Sequence, residues 1–134
     1  MAISIKTSVI WILRLMAAAI LLQTLYFKFT GAEESIYIFS TIGMEPWGRI
    51  GSGVLELIAS ILILIPQTTV FGAVLGAGLM CGAIFFHLTK LGIEIMDDGG
   101  LLFAYACIVL ISCLILIIVY RKVLLVLINK IFKK

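Results

Sequence analysis

The chain has 134 residues, of which 63% are apolar and 13% are charged, with a formal net charge of +3. Soluble domains carry about 25% charged residues, so this composition excludes an ordinary soluble enzyme and indicates an integral membrane protein. The lipid bilayer is therefore the first partner that the sequence predicts.

Four apolar runs predict four membrane-spanning helices, at residues 7–29, 49–66, 69–91 and 101–120. Each run has the length of about 17–25 residues that is needed to cross a hydrocarbon core of about 30 Å. The predicted fold is therefore an all-α, four-helix transmembrane bundle. We expect one domain over residues 1–134, because little chain remains for a separate soluble domain.

The basic residues predict the orientation of the bundle. The positive-inside rule places both termini in the cytoplasm of a multi-pass cell-membrane protein. The tail, residues 121–134, is apolar and then basic, so it either prolongs the fourth span or lies on the cytoplasmic surface near anionic lipid headgroups. Six of the ten Lys and Arg residues lie near the termini: Lys6, Arg121, Lys122, Lys130, Lys133 and Lys134.

Two connections between the spans carry structural signals. In residues 30–48, Glu33-Glu34-Ser35 precedes an apolar run, which predicts a short interfacial helix that ends at Gly43. The connection before the fourth span ends in Asp97-Asp98-Gly99-Gly100, which is typical of a turn followed by a helix start with acids near its positive end. A contact of these acids with a cation or a substrate is the alternative interpretation.

Small and polar residues form one face of the second span. Arg49, Gly53, Glu56 and Ser60 recur at intervals of three or four residues, so they follow one side of a helix. Lipid would favour Leu and Ile there, so this stripe is predicted to face the interior of the bundle. A carboxylate near the bilayer centre costs about 2.5 kcal/mol or more, and Glu56 therefore needs a partner, a proton or a path to water.

The third span has a similar face. Gly72, Gly76 and Ala83 share one side of the helix with His87. Because small residues allow membrane helices to approach closely, His87 is predicted to lie on the packed side of the span. A histidine there either bonds a neighbour as a structural residue or belongs to a site.

Further polar residues are predicted to lie near the outer boundary. With a rise of about 1.5 Å per residue, Gln23, Glu56 and Tyr105 fall within about 10 Å of it, and Lys28 falls at the rim. Arg14 lies deeper, at a height roughly 8 Å from Glu56 that extended side chains nearly span. We predict a buried Arg14–Glu56 ion pair, which either fixes helix register or belongs to a functional site. The candidate ligand-binding residues are Arg14, Gln23, Lys28, Glu56, His87 and Tyr105.

Several kinds of site are not predicted. The chain has one histidine and no cluster of Cys or carboxylate residues at metal-ligand spacing, so we expect no metal site. No glycine-rich loop follows a strand, which argues against a dinucleotide or P-loop site. The basic tail adjoins a membrane span, which favours lipid over nucleic acid as its partner. The three cysteines form no CxxC motif and are interpreted as small apolar residues.

Taken together, these residues resemble the DoxX and DoxX-like family of small membrane proteins. The resemblance runs from the first span to the start of the tail. It is carried by Arg14, by Phe-Lys-Phe-Thr-Gly around Lys28, by Gly53-Val-Leu-Glu56-Leu, by Cys81-Gly-Ala-Ile-Phe-Phe-His87-Leu, by Leu91-Gly92 and by Asp98-Gly-Gly-Leu-Leu-Phe103.

The resemblance implies a four-helix protein linked to redox chemistry. Some relatives are subunits of a thiosulfate–quinone oxidoreductase, and others associate with redox and thiol-stress enzymes. We therefore expect a redox-linked membrane subunit, associated with quinone or with thiol and sulfur chemistry, with a polar pocket in the outer half of the bundle. No cofactor is fixed by the sequence, quinone is the candidate, and the expected partner is a redox enzyme or a second copy. Whether the chain is itself an enzyme stays open. The alternatives are a non-catalytic scaffold for a partner enzyme and a small-solute or proton carrier.

Overall fold

The computed structural model describes residues 4–133. Four of its helical segments are long and apolar enough to cross a membrane, which confirms the predicted all-α fold with four spans. The helices are α1 (Ile5–Thr30), α2 (Glu33–Thr41), α3 (Trp47–Leu64), α4 (Thr69–Phe86), α5 (Leu101–Val119) and α6 (Arg121–Phe132), and a π-helical turn (His87–Leu91) extends α4.

The four long helices form a ring in which α1 packs against α3 and α5, and α4 packs against the same two helices. Along the chain, each of the four long helices runs in the opposite direction to the one before it. One end of the bundle, here called the terminal end, carries the start of α1, the turn at Pro66 and α6. The opposite end, called the loop end, carries α2 and the connection from Gly92 to Gly100. Fully buried small and branched residues such as Ala17, Ile63 and Val109 fill the core between the four helices.

The helices α3 and α4 approach each other closely in the half of the bundle nearest the terminal end, here called the terminal half; the other half is called the loop half. A Cβ atom added to Gly72 would lie 2.6 Å from the Ile63 nitrogen and 2.7 Å from the Ala59 carbonyl oxygen. Only glycine permits that approach, because the obstructing atoms are backbone atoms. The prediction that Gly72 and Gly76 lie on a packed face of the third span is confirmed, since both are buried.

The two short helices occupy opposite ends of the bundle. At the loop end, α2 turns Ser35 and Phe39 inward against the long helices, as expected for the short helix predicted there. At the terminal end, α6 begins after a break at Tyr120, touches α4 and α5, and has no buried residue. The tail is thus a separate helix and not a straight extension of the fourth span. Lys134, the last residue of the predicted basic tail, lies outside the described residues.

Candidate functional site

The buried carboxylate of Glu56 is held by two side chains of α1. Glu56 is 4% exposed. Its Oε1 accepts a hydrogen bond from the Lys28 ammonium in a salt bridge, and its Oε2 accepts one from the Thr24 hydroxyl at 3.1 Å. Thr24 and Lys28 are four residues apart, so they lie on the same face of α1 and can both donate hydrogen bonds to the carboxylate. The charge predicted to need a partner therefore has one.

Contacts around this pair fix the last turn of α1 against α3. A Cβ atom added to Gly53 would lie 2.8 Å from the Phe29 ring, so the glycine allows the ring to pack onto α3 about one turn from Glu56. Arg49 binds Glu45 at 2.9 and 3.0 Å and donates a further hydrogen bond to the Lys28 carbonyl. The backbone that carries the Lys28 side chain is thereby tied to the start of α3.

The predicted Arg14–Glu56 ion pair is wrong. Arg14 Nε donates to the Ile63 carbonyl at 2.8 Å, and Nη2 donates to the Leu64 carbonyl at 2.6 Å. These carbonyls belong to the last turn of α3. No later turn supplies backbone N–H donors there, and this end of the helix is the negative end of the helix dipole. The guanidinium also stacks on Trp11, 3.7 Å from the ring centroid. Arg14 thus caps a helix in the terminal half, whereas Glu56 lies in the loop half.

His87 lies on the packed side of its span and begins the π-helical turn. It is 6% exposed, and its Nδ1 lies 2.8 Å from the Gly92 carbonyl oxygen. Because a carbonyl only accepts hydrogen bonds, Nδ1 carries a proton and donates it. No hydrogen bond joins Nε2 to another of the described residues, so the acceptor lone pair of Nε2 is not used within the described part of the chain. The Phe103 ring packs edge-on against the imidazole at 5.5 Å.

A cavity of about 290 Å³ lies among α1, α2, α4 and α5 in the loop half of the bundle. Its walls are mostly aliphatic and aromatic. Five of the six candidate residues line it, and Arg14 is the exception. The polar side chains that line it are Gln23, Thr24, Lys28, Glu34, Ser35, Glu56, His87, Asp98 and Tyr105.

Some of these lining residues were not candidates from the sequence. Thr24 could have been found, since it stands one helical turn before Lys28 on the same face. Glu34 and Ser35 could not, because they reach the cavity only through the docking of α2 onto the bundle. Gln23 is a less enclosed part of the cavity than predicted, because this residue is exposed although it is among those that line the cavity.

Asp98 binds the backbone at the start of α5. Its Oδ1 accepts hydrogen bonds from the Ile95 and Gly100 N–H groups at 3.0 and 2.8 Å, and Oδ2 accepts one from Leu102 N–H at 3.2 Å. Partial burial alone would raise the pKa of this carboxyl, but the backbone donors outweigh that effect and the pKa is lowered. The predicted turn and helix start are confirmed here.

The alternative interpretation has two parts, a contact with a cation or with a substrate. A cation site at these acids gains no support, and a substrate contact at Asp98, which lines the cavity, stays a prediction. Within residues 4–133, no three His, Cys, Asp or Glu side chains converge in a way that could hold a metal ion. All three hydrogen bonds to the Asp98 carboxylate come from backbone N–H groups, which compete with a cation for the same oxygen atoms.

Four apolar helices around a buried charge pair and a cavity define the chain as a multi-pass, four-helix membrane protein. Comparison with known families gives a more specific answer. The profile of the DoxX family matches residues 9–89, and the chain belongs to the DoxX family. No curated protein and no solved structure matches the chain.

Proposed function

We propose that the chain is a redox-linked membrane subunit that binds a quinone in the cavity of the loop half. The observation that carries the proposal is the Lys28–Glu56 salt bridge, which is largely shielded from solvent at the wall of an otherwise largely apolar cavity. Ionisable residues inside membrane spans are costly, and they are usually retained where they serve a function. An apolar cavity with a few polar groups is the usual form of a small-molecule site.

The residues present suit the two chemical parts of a quinone. Aliphatic and aromatic side chains from four helices offer a dry surface for the ring. The Lys28 ammonium and the Tyr105 hydroxyl offer hydrogen bonds to carbonyl oxygens. Neutral His87 accepts a hydrogen bond at Nε2 from a quinol hydroxyl, and protonated His87 donates one to a quinone oxygen.

Proton exchange would fall to His87 and Glu56. A quinone supplies the redox chemistry when it is bound, and in this proposal a partner enzyme supplies the electrons. Glu56 and His87 both line the cavity, so each can hold or release a proton at its wall. Lys28 has a positioning role as well, because it keeps the Glu56 carboxylate turned toward α1.

The test measures binding of a water-soluble quinone analogue with a short tail to the purified protein in lipid nanodiscs. Lys28→Met removes a charged donor, which is worth about 1.5–3 kcal/mol, so we expect affinity to fall about tenfold or more. The variant Lys28→Met/Glu56→Gln leaves no unpaired buried charge and should show the same loss, which separates binding from misfolding. Lys90→Met is the matched control, since Lys90 is exposed at the loop end and does not line the cavity.

Glu56→Gln tests the proton-exchange role. This variant keeps the shape of the side chain and one acceptor oxygen for the Thr24 hydroxyl, so it should insert and still bind the quinone analogue. It should abolish quinone-linked turnover by membranes that contain the partner enzyme. Unchanged binding in both Lys28 variants would overturn the proposed site, and unchanged turnover in Glu56→Gln would remove the proton-exchange role.

A further inference from the structure

Glu56 lines a second space besides the cavity described above. A groove of about 230 Å³ lies between α3 and α4 beside the end of α2, and Glu56 is one of its lining residues. The apolar residues Phe39, Ile42 and Phe86 line both spaces. The groove and the cavity therefore adjoin each other along these shared residues.

The groove exists because α3 and α4 meet closely at one level and leave space at another. At Gly72 the two backbones are in contact, as described above. At Gly78 and Gly82, which line the groove, an added Cβ atom would meet nothing within 4 Å. Two glycines therefore leave a shallow trough on α4 toward the loop end.

The level of the groove decides what can reach it. Gly78 lies about 14 Å along α4 from its first residue, in a span that crosses a hydrocarbon core of about 30 Å. Gly78 is exposed on the bundle surface, so at this depth it faces lipid chains. Apart from Ser52 and Glu56, the groove is lined by apolar side chains and glycine. A hydrocarbon chain fits these surroundings, and a water-soluble molecule does not.

We infer that the groove between α3 and α4 holds the hydrocarbon tail of the ligand whose head group occupies the cavity. The inference rests on the proposed function and narrows its ligand to a quinone with a long isoprenoid or alkyl tail. The tail leaves the cavity past Phe39, Ile42 and Phe86 and lies over Gly78 and Gly82. The other opening of the cavity, at Gln23 and Leu101 between α1 and α5, is the competing exit.

The first experiment maps the tail directly. The purified protein in nanodiscs is irradiated with a ubiquinone analogue that carries a diazirine at the end of a ten-carbon tail, and labelled peptides are identified by mass spectrometry. We expect labels on α3 and α4 around Ser52 and Gly78. Labels confined to α1 and α5 around Gln23 and Leu101 would overturn the inference while leaving the proposed head-group site intact.

The second experiment fills the trough. Gly82→Leu places a side chain where the tail would lie, and because nothing is within 4 Å of that position the fold should tolerate it. We expect about tenfold weaker binding of the tailed analogue and unchanged binding of the same head group without a tail. Gly51→Leu is the control, since Gly51 is equally unobstructed and lies outside both spaces.

The outcomes separate the two proposals. If both probes bind and Gly82→Leu affects neither, the groove does not hold the tail and only the inference fails. If neither probe binds the unaltered protein, the proposed function fails and the inference fails with it. Weaker binding of both probes in Gly82→Leu would also overturn the inference, because the substitution would then act on the head-group site.

Discussion

The two halves of the bundle each bury a charged side chain, and they satisfy it in different ways. Arg14, in the terminal half, is 1% exposed and binds two backbone carbonyls at the end of α3. Glu56, in the loop half, binds Lys28 and Thr24 and lines open space. The same α3 helix thus carries a closed polar site at its last turn and an open one two turns earlier.

This difference shows that burial of a charge does not by itself mark a functional site. The Arg14 donors bind backbone carbonyls at a helix end in the membrane, and for the Leu64 carbonyl no other side-chain donor is described, so the arrangement serves the fold. The Lys28–Glu56 pair satisfies itself and leaves apolar space beside it. We therefore expect substitutions in the terminal half to affect stability more than ligand binding.

The largest stability effect is expected for Arg14→Met. This substitution removes the only described side-chain donor to the Leu64 carbonyl, whereas Ile63 keeps a hydrogen bond from the Thr69 hydroxyl at 3.1 Å. Leaving a buried acceptor unpaired costs about 1–3 kcal/mol, and the stacking on Trp11 is lost as well, so we expect a loss of about 3 kcal/mol. Unfolding by SDS titration of the micellar protein measures the change.

Glu56→Gln provides the comparison for Arg14→Met. The amide keeps an oxygen for the Thr24 hydroxyl, and Lys28, at 16% side-chain exposure, can extend toward the surface. A loss of about 1 kcal/mol is expected for this variant. Equal losses for the two variants would mean that the two halves do not differ in the way proposed here.

The next effect concerns the two kinds of glycine on α4. Gly72→Ala introduces a Cβ atom that must displace the α3 backbone, which costs about 1–3 kcal/mol. Gly78→Ala meets nothing and should be neutral or slightly stabilising, because alanine favours a helix by about 1 kcal/mol over glycine. SDS unfolding of both variants gives the contrast. A destabilised Gly78→Ala would indicate that the groove closes over that position.

The fold was largely predictable from the sequence, because four apolar runs of spanning length leave few alternatives. Periodicity also oriented Glu56, His87 and Gly72 correctly, since each lies on a face of small or polar residues. The partner of Glu56 was not predictable in this way. Helical rise places Arg14 and Lys28 at different heights, but it does not give the path of a flexible side chain or the rotation of α1 against α3.

A polar pocket was expected from the sequence, but the part that α2 plays in enclosing the cavity could not be predicted, for a related reason. One wall of the cavity depends on the docking of α2, a short helix whose position is set by tertiary contacts of Ser35 and Phe39.

The role of Arg14 was not predictable from side-chain patterns either. Its acceptors are the backbone carbonyls at the end of α3, which no side-chain pattern reveals. A general rule does predict that some donor is needed there, because every helix end inside a membrane requires donors for its last carbonyls.

A small effect is expected at the loop end, for Asp98→Asn. Both oxygens of the Asp98 carboxylate accept backbone hydrogen bonds, whereas an amide has one acceptor oxygen, so at least one of the three bonds is lost and we expect a loss of about 1 kcal/mol at neutral pH. Because the pKa of Asp98 is lower in the folded chain than in the unfolded chain, the ionised carboxylate stabilises the fold above the unfolded pKa. That contribution is lost as the pH falls through the lowered folded pKa.

Unfolding measured at a series of pH values checks this sign. The stability difference between the unaltered protein and Asp98→Asn should be largest at neutral pH and should shrink in acid. Asp97→Asn is the matched control: Asp97 has a positive φ of 62°, which asparagine tolerates equally well, and its side chain is exposed. A difference that grows in acid, or an equal effect of Asp97→Asn, would show that the three backbone hydrogen bonds are not what stabilises the start of α5.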